Sequence, residues 1–131
     1  MKGIAVLGAT GSIGVNTLDV VARHPDRYRV VALGAHRNVE LLLQQIQQFR
    51  PALAALTDPA AARVLEQRLQ VLGLATRVLT GPESLETLAT LPEVDQVMAA
   101  VVGAAGLRST LAAAHAGKRL LLANKDRKSV V

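Results

Sequence analysis

The chain has 131 residues, 50% hydrophobic and 19% charged, with a formal net charge of +5, one Phe, one Tyr and no Cys. One sizeable core in a single domain over 1–131 is the natural expectation, and the scarcity of aromatics argues against a nucleic-acid binder that stacks bases, so the positive balance reads mainly as phosphate affinity and solubility. Disulfides, thiolate metal sites and cysteine nucleophiles are excluded. No apolar run reaches the roughly 18 residues of a membrane span and no cleavable signal opens the chain, so a cytoplasmic protein with no membrane or nucleic-acid partner is expected.

Ile4 to Leu7 suit a buried parallel strand that runs into Gly8-Ala9-Thr10-Gly11-Ser12-Ile13-Gly14. Glycines at positions 8, 11 and 14 allow a tight turn and a close backbone approach, and the helix that follows carries Ile13, Thr17, Leu18 and Val21 on one face. A strand, a glycine turn and a helix amino end together read as a dinucleotide-binding turn, in which unpaired amides of the first helical turn complement a diphosphate. A turn that is only structural is the alternative.

Tyr28 to Leu33 form a second strand and complete a βαβ unit. An Asp or Glu at its end would hydrogen-bond the ribose 2′-hydroxyl of NAD, but the residues there are Gly34-Ala35-His36-Arg37-Asn38. A cation such as Arg37 pairs instead with the 2′-phosphate of NADP. The plain alternatives are a surface arginine at 37 and a helix N-cap at Asn38.

The pattern then repeats. Val39, Leu42, Leu43, Ile46 and Phe49 make a helical stripe, and Leu53 to Leu56 a short strand. Asp58 and Pro59 suit the N-cap and first position of a helix whose buried face is Ala61, Val64, Leu65, Leu69 and Leu72, ended by Gly73. A strand near Thr76 to Leu79 and a helix around Ser84 to Thr90 lead to a strand from Asp95 to Val102. The glycine-rich loop Gly103 to Gly106 would flank a cofactor near its nicotinamide. A helix from Leu107 to Ala116 and a strand from Arg119 to Ala123 follow. The class is therefore α/β: a Rossmann-like, doubly wound, mostly parallel sheet with helices on both faces. His24 and His115 lack metal-ligand spacing and read as cap or surface residues.

With Leu7–Gly14, Thr17–Val21, Asp95–Ala100, Val102–Leu107 and Leu121–Lys125 in hand, the chain resembles the amino-terminal NADPH-binding domain of the 1-deoxy-D-xylulose 5-phosphate reductoisomerases, over residues 1 to about 125. That family converts 1-deoxy-D-xylulose 5-phosphate to 2-C-methyl-D-erythritol 4-phosphate in non-mevalonate isoprenoid biosynthesis, with NADPH and a divalent cation, Mg or Mn. The resemblance implies that Thr10, Gly11, Ser12 and Ile13 contact the cofactor phosphates and that His36, Arg37 and Asn38 hold the 2′-phosphate side. It places Asn124 near the nicotinamide ribose, Asp126 as a further cofactor contact, and Lys125 at the substrate, where a compact cation stabilises oxygens.

Three positions depart from the family pattern. His36 stands where relatives often have Gly, Asp126 where the motif has Glu, and 127–131 follow the pattern poorly. The family's metal ligands, substrate-phosphate site, lid and carboxyl-terminal helical domain would all lie beyond residue 131. The expectation is thus a domain that binds NADPH without turnover alone, with a homodimer possible only in a full-length enzyme. A stand-alone NADP(H)-binding or sensory module is the alternative. Short-chain and aspartate-semialdehyde dehydrogenases are disfavoured by the lack of a Tyr–Lys helical pair and of a cysteine.

Overall fold

The computed structural model describes residues 1–101 and 103–122. Six strands, β1 (Lys2–Leu7), β2 (Tyr28–Ala35), β3 (Leu53–Leu56), β4 (Arg77–Thr80), β5 (Gln96–Ala99) and β6 (Arg119–Leu122), alternate with five helices. These are α1 (Ser12–Ala22), α2 (Val39–Phe49), α3 (Pro59–Leu72), α4 (Ser84–Ala89) and α5 (Gly103–His115). Every strand pairing is parallel, in the order β4-β3-β2-β1-β5-β6. Chain order therefore reverses at the β1–β5 junction, and a crevice forms beyond the carboxyl ends of neighbouring strands at such a point.

Each face of the sheet carries its own core. Ile4, Val6, Leu33, Ala54 and Leu56 pack against Leu18 and Val21 of α1, Leu42 and Ile46 of α2, and Leu65 and Leu69 of α3. On the opposite face Ala5, Leu7, Ala55 and Val97 meet Leu85 and Leu88 of α4 and Ala113 of α5. Alternation along β2 is interrupted once: Ile4 pairs with Val30 but Ala5 with Ala32, so Val31 is an extra residue. This bulge puts Val31 and Ala32 on the same face and returns Leu33 and Ala35 to the other.

Local chemistry sets the helix ends. The Asn38 side chain accepts from the Leu41 amide at 3.2 Å at the start of α2, and Asp58 accepts from the Ala61 amide at 3.4 Å at the start of α3. Pro59 fills the first turn of α3, and Gly73 ends it in the left-handed conformation. Pro51 forbids continuation of α2, which stops at Arg50 with φ 52°.

Three expectations are corrected. Val64 and Leu72 are not part of the buried face of α3, being 46% and 47% exposed, because Ala61, Ala62, Leu65 and Leu69 already fill the contact with the sheet. The fifth strand ends at Ala99; the Ala100 amide still donates to the Leu7 carbonyl at 2.9 Å, and Ala100 and Val101 form a cavity wall. The stretch from Gly103 to Gly106 is the first turn of α5 and not a loop. A methyl on Gly106 would collide with the Val101 carbonyl oxygen, so this glycine serves close approach of helix and strand end. Among the described residues no helix is long and apolar enough to cross a membrane.

Candidate cofactor site

Gly8 leaves β1 with φ +86°, a conformation that side chains rarely adopt, and a Cβ there would stand 2.7 Å from the Ala100 carbonyl oxygen. Its amide and that of Ala9 both donate to the Gly34 carbonyl, each at 2.8 Å, which ties the turn to β2. Gly14 packs so closely beneath that a Cβ would collide with the Gly8 carbonyl oxygen and Ala9. Gly11 is different. A Cβ there would meet only the Gly8 oxygen, at 3.6 Å, and Gly11 is the exposed N-cap of α1 with no side chain closing the helix end.

The first amides of a helix have no intrahelical partner, and without a capping side chain they remain available to an anion, which the helix dipole also favours. Thr10 and Gly11 line a cavity of about 450 Å³ together with Gly8, Ala35, His36, Thr57, Leu85, Ala100 and Val101. The walls come from the carboxyl ends of β1, β2, β3 and β5, the place at which an open α/β sheet presents a ligand. Ser12 is exposed and Ile13 half-buried at the start of α1.

His36, directly after β2, is exposed and its Nδ1 lies 2.7 Å from Thr57 Oγ1. Arg37 and Asn38 lie next along the chain and are also exposed. Asn38 caps α2, as its alternative reading has it. Among the described residues the ion pairs join Arg23 to Asp19, Arg68 to Glu40 and Arg108 to Glu86, and Arg37 enters none of them. The Glu40 carboxyl is held below the usual carboxylate range, first by its hydrogen bond from Arg68 and then by that charge. The edge beyond β2 thus offers one uncommitted cation beside an imidazole and no acid at the strand end.

The structure brings Thr10, Gly11 and His36 to one cavity, with Ser12, Ile13, Arg37 and Asn38 on adjoining backbone. Asn124, Lys125 and Asp126 lie outside the described residues. Two further residues belong to the site's construction. Thr57 follows β3, where the strand-end rule points, but its short strand hides it before the stronger Asp58-Pro59 signal. Gln45 of α2 is buried beneath the turn and donates to the Ala9 carbonyl at 2.8 Å; a polar residue inside a helical stripe gives no sign of which backbone it meets.

The family model described as 1-deoxy-D-xylulose 5-phosphate reductoisomerase matches residues 4–129. The chain is 63% identical over 127 residues to a protein of that name from Methylococcus capsulatus, covering 96% of this chain and 32% of the relative. It is 62% identical over 123 residues to one from Nitrosomonas europaea, covering 94% and 30%. A crystal structure of DOX-P reductoisomerase in complex with NADPH, fosmidomycin and magnesium superposes with a TM-score of 0.90 at 48% identity, over 96% of this chain and 31% of that one. The Zymomonas mobilis enzyme in complex with NADPH gives 0.87 at 41% identity, over 95% and 32%. The chain thus spans about a third of the length of these relatives.

Proposed function

The chain belongs to the 1-deoxy-D-xylulose 5-phosphate reductoisomerase family, and we propose that residues 1–131 form the NADPH-binding domain of such an enzyme. The observation that carries this reading is the cavity at the β1–β5 reversal: Gly8 turns under Ala100, and the glycine-capped end of α1 opens beside it. In this reading Thr10, Gly11, Ser12 and Ile13 hold the diphosphate with backbone and side-chain donors. Arg37 pairs with the 2′-phosphate while His36 and Asn38 hold the 2′-phosphate side of the adenosine with it. Similarity to structures that hold NADPH supports the choice of cofactor.

NADPH, when bound, supplies a hydride. The whole enzyme would use it to reduce the rearranged carbon skeleton of 1-deoxy-D-xylulose 5-phosphate to 2-C-methyl-D-erythritol 4-phosphate in isoprenoid biosynthesis. We assign Lys125 to the substrate and Asn124 to the nicotinamide ribose by their place in the Leu121–Lys125 motif, and Asp126, where the family motif has Glu, to a further cofactor contact. Among the described residues no three His, Asp or Glu side chains could hold a metal ion. No ligand for a divalent cation, Mg or Mn, is therefore assigned among them, and the domain is expected to bind cofactor without turnover by itself. A homodimer and a cytoplasmic location are proposed for the whole enzyme only.

Titration of the chain with NADPH and NADH, repeated with Arg37→Ala, tests the reading. NADPH is expected to bind more tightly than NADH, and the substitution to remove most of the difference, about tenfold or more for a lost charge-assisted pair. Equal affinity for both cofactors, or a preference that survives the substitution, would overturn the role of Arg37; no binding of either would overturn the assignment of this chain as a cofactor domain.

A further inference from the structure

We propose that Gln45, which does not line the cavity, is a positioning residue for the diphosphate of NADPH, acting through the carbonyl of Ala9; the inference rests on the cofactor reading above. Gln45 lies on the buried face of α2 beside Leu42 and Ile46 and is 7% exposed. Its Nε2 donates to the Ala9 carbonyl oxygen at 2.8 Å, across 36 residues of sequence. Its Oε1 is buried, with no hydrogen-bond partner among the described residues.

A carbonyl can only accept, so the amide nitrogen has to be the end that faces Ala9, and the oxygen is the end left stranded. Burying an acceptor without a donor destabilises a fold, and a Leu or Met at this position would remove the stranded Oε1 only by taking the donor from the buried Ala9 carbonyl. What the glutamine adds in return is one donor aimed at the turn.

The importance of that donor follows from peptide geometry. In a planar trans peptide the Ala9 carbonyl and the Thr10 amide point in opposite directions. Holding the carbonyl toward α2 turns the Thr10 amide away from α2, while Thr10 and Gly11 form part of the cavity wall. The Ala9 amide is held separately, by the Gly34 carbonyl. The residue is therefore pinned at both its polar groups. A flipped Ala9–Thr10 peptide would present the negative end of a carbonyl dipole to an incoming diphosphate.

The test compares the unsubstituted chain with Gln45→Met, which keeps length and bulk while removing both the donor and the stranded oxygen. Dissociation constants are measured by calorimetry for NADPH and for adenosine 2′-monophosphate, which carries no diphosphate, alongside amide hydrogen exchange of the unliganded protein. NADPH binding should weaken about tenfold, adenosine 2′-monophosphate should bind as before, the thermal midpoint should shift little because one stranded acceptor replaces another, and exchange at Gly11, whose amide donates to the Gly8 carbonyl, should quicken. Gln45→Glu, which sets an acceptor against an acceptor, should weaken NADPH at least as much. Unchanged NADPH binding, equal weakening of both ligands, or unaltered exchange at the turn would overturn the proposal. Failure of the unsubstituted chain to bind either ligand would overturn the cofactor reading and the phosphate role of Gln45 with it, while the exchange data would still tell whether Gln45 holds the turn.

Discussion

His36 Nδ1 and Thr57 Oγ1 lie 2.7 Å apart, a hydrogen bond that ties the residue after β2 to the residue after β3 across the mouth of the cavity. One ring nitrogen is engaged, so Nε2 is the one left for a ligand. Thr57→Val removes the hydroxyl and keeps the branched shape, releasing the ring. Affinity for NADPH should fall about threefold, the scale of one neutral hydrogen bond, with NADH unaffected. Fluorescence titration of both cofactors checks this, and an unchanged NADPH constant would mean that His36 makes no cofactor contact.

Two glycines of the turn, Gly11 and Gly14, should separate by function. A Cβ on Gly14 collides with backbone, so Gly14→Ala should cost about 1–3 kcal/mol of stability, as overpacking does, and disturb NADPH binding too. A Cβ on Gly11 has room within the fold, so Gly11→Ala should change stability by less than about 1 kcal/mol while still weakening NADPH. Urea denaturation and cofactor titration of both variants measure the split. Loss of stability in Gly11→Ala as large as in Gly14→Ala would contradict it.

Neighbouring positions on α3 should respond in opposite ways. Leu65 is fully buried in the core shared with α2, and Leu65→Ala should cost about 2–5 kcal/mol. Val64 is 46% exposed, and Val64→Ala should change stability by no more than about 0.5 kcal/mol, alanine being the better helix former. Chemical denaturation midpoints decide the matter.

Glu40 and Arg68 join α2 to α3 at the surface, with Glu40 Oε2 2.6 Å from Arg68 Nη1. The carboxyl pKa is lowered by the fold, through the Arg68 hydrogen bond and then its charge. The contribution to stability is therefore complete above the ordinary carboxylate range and disappears as pH falls through the depressed value. Because the pair is exposed, the effect should be small and screened by salt. The thermal midpoints of the unsubstituted chain and Glu40→Gln should differ slightly near neutrality at low salt and converge in strong acid or high salt. A gap that persisted in strong acid would assign the effect to packing.

Much of the architecture is legible in the residues because each element carries a local cause that tertiary packing does not oppose. The glycine turn, Asn38 and Asp58 as caps and the stripe from Val39 to Phe49 are of this kind. What escapes has its cause in a distant neighbour. Gly106 looks like a loop residue until the Val101 carbonyl is seen to need the space. Val31 has nothing unusual about it, yet it is the bulge that shifts the β1–β2 register. Val64 satisfies the helical period, and only the filled contact between α3 and the sheet leaves it outside. At the site, Gly8 to Ile13 and His36 to Asn38 are visible as local signals. Thr57 and Gln45 acquire their roles from what the fold brings to them, His36 in one case and Ala9 in the other.

The central place of β1 in the sheet has a consequence for how the molecule is made. β1 pairs with β2 on one side and with β5 on the other, and the Gly3 amide donates to an Asp95 oxygen 92 residues away. A ribosome delivers β1 first, and at ordinary rates β5 emerges on the order of ten seconds later. Through that interval one edge of the innermost strand has no partner, a state in which nascent chains are open to misassociation and chaperone capture. Ala100 and Val101, the wall that faces the glycine turn, arrive later still. The cavity therefore cannot close during the early part of synthesis, and cofactor can aid maturation only after most of this chain has been translated.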